Sequence, residues 1–144
     1  MPKIKLNKDK YIIVYDIENE VIKPFNMGYY REAFAKLDSI LESVIEHMLK
    51  RAFPSKDANR IISNMAKARC YPSQMAYALG LLKRTWKTKI DRFKSMRNAI
   101  LHNSYGELSL LTKKKINDLK EIHTILMDEI KTIISLIQEM SNST

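Results

Sequence analysis

Between positions 108 and 140 the residues Ile116, Leu119, His123, Leu126, Ile130, Ile133, Ile137 and Met140 recur at intervals of three and four. That spacing places them on one side of a single long α-helix, which must hide the stripe by packing against other elements. The other readable segments are helices too. Tyr30, Phe34, Leu37, Leu41, Val44 and Met48 follow the same rule over 29–52. Pro54 stops that helix, and Ser55 is placed to cap a next one over about 56–69, carrying Ile61, Ile62 and Met65. Tyr71-Pro72-Ser73 breaks the chain again. A further helix runs from 74 to about 103, kinked near Gly80, and Thr88 with Asp91 three later could restart it as a capping box. Only three Gly and four Pro interrupt 144 residues, which suits helices joined by short loops. The expectation is an all-α, up-and-down bundle of four to five helices.

Residues 1–26 read as an N-terminal extension to a helical domain over 27–144. Lys10 to Tyr15 is β-prone, Asp16 to Glu20 can turn, and Val21 to Lys23 can pair back as a small β-hairpin, with a short helix as the alternative. No apolar h-region follows the Lys-rich start, and no apolar window is long enough to span a bilayer. A single cysteine, Cys70, cannot form an internal disulfide. A cytoplasmic protein with no membrane partner is expected.

Charge is unevenly spread over this chain of net +9. From Lys83 to Arg97 there are seven basic residues and one acid, Asp91. Such a stretch favours a polyanionic partner, RNA before membrane, over a merely solvated face. Lys83, Arg84, Lys87, Arg92 and Lys94 are the candidates for phosphate contact.

The same helix closes on Arg97-Asn98-Ala99-Ile100-Leu101-His102. Trp86, Ile90, Phe93, Arg97, Ile100 and Leu101 trace its apolar face, so Arg97 stands where a leucine is expected. A charge there is costly unless it is paired or used. A histidine can move a proton near neutral pH, and an arginine can steady negative charge building on a phosphate. Five residues turn through about 500°, so Arg97 and His102 point roughly 140° apart on a straight helix. Their convergence needs an irregular last turn or a second copy of the chain. Asn98 and His102, four apart, share a face. The plainer readings are a bundle-bridging salt bridge for Arg97 and a C-terminal cap for His102.

Other chemistries find little support. His47, His102 and His123 are scattered, with no metal-ligand spacing, and no Gly-rich phosphate loop exists, so no metal and no cofactor is expected. One cysteine without a placed base argues against thiol catalysis. His123, on an apolar stripe, reads as a buried, hydrogen-bonded core histidine, and His47 as exposed. Glu42 and Glu46 could face Arg97 across the bundle but read as ordinary surface acids.

An all-helical chain of this size, with Arg97, Asn98 and His102 closing the penultimate helix and one long helix after it, resembles the HEPN family (higher eukaryotes and prokaryotes nucleotide-binding). The resemblance covers about 29–140. It implies a metal-independent endoribonuclease acting as a homodimer, with Arg and His from two chains lining one cleft. The RNA 2′-OH would attack the adjacent phosphate, His102 acting as general acid or base, Arg97 stabilising charge, and Asn98 orienting His102 or bonding the phosphate. Some members are toxins whose nucleotidyltransferase antitoxin modifies a tyrosine two residues after the His. Here that position is Ser104, and Tyr105 follows as the candidate regulatory tyrosine. The resemblance suggests toxin–antitoxin control or phage defence, with a cognate antitoxin as partner. A different class stays open: a non-catalytic helical adaptor or nucleotide-binding module that keeps the fold.

Overall fold

A computed structural model describes residues 4–8, 11–53, 55–68 and 71–142. Two short antiparallel strands, β1 (Ile4–Lys8) and β2 (Tyr11–Tyr15), come first, followed by a π-helical turn over Glu18–Ile22. Seven helices follow among the described residues: α1 (Lys23–Asn26), α2 (Tyr30–Ala52), α3 (Ser55–Lys67), α4 (Pro72–Ala78), α5 (Arg84–Leu101), α6 (Tyr105–Thr112) and α7 (Leu119–Asn142). The chain is all-α apart from its hairpin. None of these helices is long and apolar enough to cross a membrane.

The core is the seam where α2, α5 and α7 pack on one another. Leu37, Ile40, Leu41, Val44 and Ile45 of α2 meet Ile90, Phe93 and Met96 of α5 and Leu126, Ile130, Ile133 and Ile137 of α7, all fully buried. Phe34 stacks on Phe93 with ring centroids 5.4 Å apart. Lys94 reaches both Asp38 and Glu42, while Arg97 reaches back to Asp38, so α2 and α5 run antiparallel. That is the up-and-down arrangement the stripes imply.

Three boundaries differ from the sequence expectation, each for a local reason. The hairpin forms, but β2 pairs upstream with β1, Leu6 facing Ile13 and Ile4 facing Tyr15. Val21 to Lys23, expected to be the second strand, is helical instead. β1 wins because its alternate residues Ile4 and Leu6 insert into the core, a pattern Val21-Ile22-Lys23 lacks. The helix expected from 74 to 103 is two helices. Gly80 takes φ +76°, Leu81 N–H bonds to Ala76 C=O and Gly80 N–H to Tyr77 C=O, which is a complete Schellman stop for α4. No capping box restarts a helix at Thr88, whose hydroxyl donates to Arg84 C=O inside α5.

The last helix is likewise divided. Lys113 adopts the left-handed conformation (φ 57°) and closes α6. Asp118 opens α7, its carboxylate accepting from Glu121 N–H at 2.8 Å, while the Glu121 carboxylate accepts from Asn117 N–H. This Asp-x-x-Glu cap overrides the apolar spacing. Leu119, expected on the buried stripe, is consequently 75% exposed. Pro54 and the side chain of Ser55, expected to stop and cap helices, lie outside the described residues.

The N-terminal segment does not stand apart. Ile4, Leu6, Ile17, Val21, Ile22 and Phe25 belong to the same buried cluster as the helical seam, and β1 packs on both α2 and α7. Leu6→Ala should therefore destabilise the whole chain by about 2–5 kcal/mol, the range for truncating a buried leucine. Urea unfolding followed by far-ultraviolet circular dichroism measures it. A helical transition that keeps its midpoint would mean that the hairpin is an independent appendage.

Candidate functional site

The apolar face of α5 buries Trp86, Ile90, Phe93, Met96, Ala99 and Ile100. Its polar residues are thereby divided between two flanks that look in different directions, and the basic stretch does not form one surface.

One flank faces α2. Lys94 lies between two carboxylates, 2.5 Å from Asp38 Oδ1 and bonded also to Glu42. Arg97 stands at the edge of the apolar stripe, not within it, with Nε 3.3 Å from Asp38 Oδ2 and its side chain 29% exposed. Its Nη1 donates to Asn98 Oδ1 at 3.1 Å. Two adjoining hollows open here, of about 330 and 360 Å³, with Lys94, Arg97 and Tyr71 common to both. The first also takes in Asp38, Glu42 and Glu46. Glu42 and Glu46 thus do face Arg97 and are more than surface acids. Burial pushes the Glu42 carboxyl above its ordinary range, against the hydrogen bond and charge of Lys94. Asp38 is the residue that sequence reasoning missed. The four-residue steps Asp38, Glu42, Glu46 were the available signal, since they draw an acidic line along the edge of α2's apolar stripe.

The other expected phosphate contacts are dispersed. Lys87 sits in the second hollow, bonded to Asp91 at 2.6 and 2.7 Å. Lys83 lies over the Trp86 ring, 4.9 Å from its centroid, and Arg84 is exposed. Arg92 is on the opposite flank, its Nε 3.2 Å from Glu129 Oε2 and its Nη1 donating to Leu111 C=O at 3.3 Å.

His102 is the C-cap of α5. Its N–H bonds to Asn98 C=O at 3.1 Å, so the helix is regular up to it. Asn103 then takes φ 54°, and Ser104 N–H reaches Ala99 C=O at 2.7 Å. This is a second Schellman stop, with asparagine in the glycine position. The last turn is therefore not irregular, and the offset of roughly 140° between Arg97 and His102 persists. The His102 side chain is exposed, makes no hydrogen bond or ion pair among the described residues, and lines neither hollow beside Arg97. Tyr105 opens α6 half-buried against the core, beside a hollow of about 190 Å³ shared with Gly28, Tyr30 and Asn103.

The other histidines are structural. His123 is half-buried, its Nδ1 3.1 Å from the Tyr30 hydroxyl and its ring 4.7 Å from Phe25. His47, expected to be exposed, is buried in α2. It lies beside the stripe residues Val44 and Met48, on a helix whose buried face is wider than one stripe. Among the described residues no three His, Cys, Asp or Glu side chains converge as a metal ligand set.

No protein-family profile matches the chain, and neither a curated protein nor a solved structure is significantly similar to it.

Burial also raises the Glu129 carboxyl above its ordinary range, outweighing the charge and hydrogen bond of Arg92. The folded chain then holds a proton there more readily than the unfolded one. This group's contribution is greatest below the ordinary glutamate pKa of about 4.3 and is lost as pH rises through the raised folded value. Glu129→Gln removes that loss and leaves Arg92, which is half-exposed, to be solvated. The variant's Tm, relative to the native chain, should rise as pH climbs from about 4.3 through the raised folded value. A relative Tm that falls over that span contradicts the assignment.

Proposed function

We propose that this chain is a metal-independent endoribonuclease that acts as a cytoplasmic homodimer. The observation that carries the reading is His102: an imidazole presented to solvent at a helix end, with no partner among the described residues, one turn beyond the Asn98 that bonds Arg97. His102 occupies the C-cap position through its backbone, but its ring bonds nothing there among the described residues, whereas the ring of His123 bonds Tyr30. The resemblance of Arg97, Asn98 and His102 to the HEPN motif supplies the reaction class.

In this reading the RNA 2′-oxygen attacks the adjacent phosphorus, and the bond to the 5′-oxygen breaks. One proton leaves the 2′-hydroxyl and one reaches the departing 5′-oxygen. A 2′,3′-cyclic phosphate and a 5′-hydroxyl result, with no net change of protons. His102 carries one of these transfers. Arg97 has donors beyond those turned to Asp38 and Asn98, and these meet the phosphate oxygens as charge builds. Asn98 holds the guanidinium in place. Because α5 is regular to its end, Arg97 and His102 of one chain point in different directions and do not converge on one phosphate. A two-fold contact that sets His102 against Arg97 of a second copy solves this, since one patch meets itself. Leu101, 37% exposed beside His102, gives that contact apolar surface. Toxin–antitoxin control or phage defence is the setting this chemistry fits, with Tyr105 as a site for a modifying antitoxin.

One observation favours a second reading, a non-catalytic adaptor or nucleotide-binding module: Arg97 already bridges α5 to α2 through Asp38. The two readings part experimentally. His102→Ala and Arg97→Ala should each slow cleavage of total RNA by roughly 10²–10⁴-fold, the usual cost of losing a proton-transfer group, while His102→Ala keeps the native Tm. A chelator should leave cleavage unchanged, and sedimentation should report a dimer at micromolar concentration. Native-level cleavage by either variant, or cleavage by a strict monomer, defeats the composite site. No cleavage by the native dimer transfers the function to the adaptor.

A further inference from the structure

The cations nearest Arg97 are already answered. Lys87 is paired with Asp91, and Lys94 with Asp38 and Glu42. A lysine already held by carboxylates has little charge left to neutralise a phosphate, so it displaces few of the counterions condensed on RNA. Uncommitted positive charge gathers on the opposite flank. There a hollow of about 240 Å³ opens between α5, the end of α6 and α7, lined by Lys89, Arg92, Lys114, Thr112, Asp128 and Glu129 among others. Lys89 and Lys114 are exposed and their side chains make no hydrogen bond or ion pair among the described residues, and the same holds for the side chains of Lys113 and Lys115 on either side of Lys114.

Arg92 is the fixed point of this surface. Glu129 Oε2 and Leu111 C=O take two of its donors and hold the guanidinium at the hollow, half-exposed, with donors to spare. The left-handed turn at Lys113 opens a run of three exposed lysines, of which Lys114 lines the hollow and the other two flank it in sequence. Two carboxylates sit among these cations. Glu129 is 6% exposed and turned to Arg92, which leaves Asp128 as the only solvated acid lining the hollow among the described residues.

We propose that the flank formed by Lys89, Arg92 and Lys113 to Lys115 is the track on which a single-stranded RNA backbone lies. The hollow accepts a phosphate beside Arg92, and the lysine rim takes the neighbouring phosphates. This assigns backbone binding to a surface separate from the Arg97 hollows. It rests on the ribonuclease reading only for the identity of the polyanion. An anionic membrane is the less suitable partner, because the cations ring a concave hollow that a flat bilayer cannot enter and Asp128 stands among them.

The test measures binding and not cleavage. In a His102→Ala background, affinity for a short single-stranded RNA is measured against salt. Each phosphate neutralised contributes about 0.7 to the logarithmic salt slope, so changing Lys113, Lys114 and Lys115 together to Gln should lower the slope by about 2. Affinity at moderate salt should fall at least tenfold. All three side chains are exposed, and an unchanged circular dichroism spectrum confirms folding. Lys50→Gln with Lys56→Gln, two exposed lysines on α2 and α3, is the control and should leave the slope nearly as it was. An unchanged slope for the triple variant overturns the proposal, as does an equal loss in the control pair. Binding to anionic phospholipid vesicles without binding to RNA overturns it too. If RNA is bound as expected but the native chain does not cut it, the track stands and the cleavage reading falls.

Discussion

Asp38 holds the arrangement in register. It is a half-buried carboxylate on α2 that receives two cations from α5, Lys94 and Arg97, one turn apart. Apolar seams are tolerant of sliding, since one leucine packs much like another. A charged triad at the seam's edge is not tolerant, because a slip of one turn leaves buried charges unmatched. The stack of Phe34 on Phe93, at the neighbouring level, depends on the same alignment. So does the level at which α5 ends, and with it the position of His102.

The periodicity of the long stripes was enough to foresee α2, α5, α7 and the bundle they form. It was not enough to find the breaks. Spacing alone carried the pattern straight through Lys113 to Asp118, because Ile116 and Leu119 kept the beat. The decisive residues there were polar: Asp118 and Glu121 terminate and restart the backbone bonding. At Gly80 the stop was visible as a glycine but its strength was not, since a Schellman closure depends on two backbone bonds that no side chain announces. The hairpin shows a different limit. Strand propensity located β2, while the choice of partner was made by the core, which had room for Ile4 and Leu6.

At the site, the sequence named Arg97 and His102 but misjudged what surrounds them. A basic count along α5 treats all its lysines as equivalent. Folding distinguishes them, because a helix presents successive residues at about 100° steps and opposing helices answer some and not others. Lys94 becomes structural, Lys89 stays free, and Arg92 is turned to a different neighbour altogether. Glu42 and Glu46 were legible as acids of a helical line, and only the packing of α5 against α2 made them part of a hollow.

The packing of β1 on α7 joins the first described element of the chain to the last. Contacts of such sequence separation are slow to form, because the entropy of closing the whole intervening loop is lost before they return anything. On a ribosome the consequence is sharper. More than a hundred residues separate Ile4 and Leu6 from α7, so the strand lacks its full cover until α7 has left the exit tunnel.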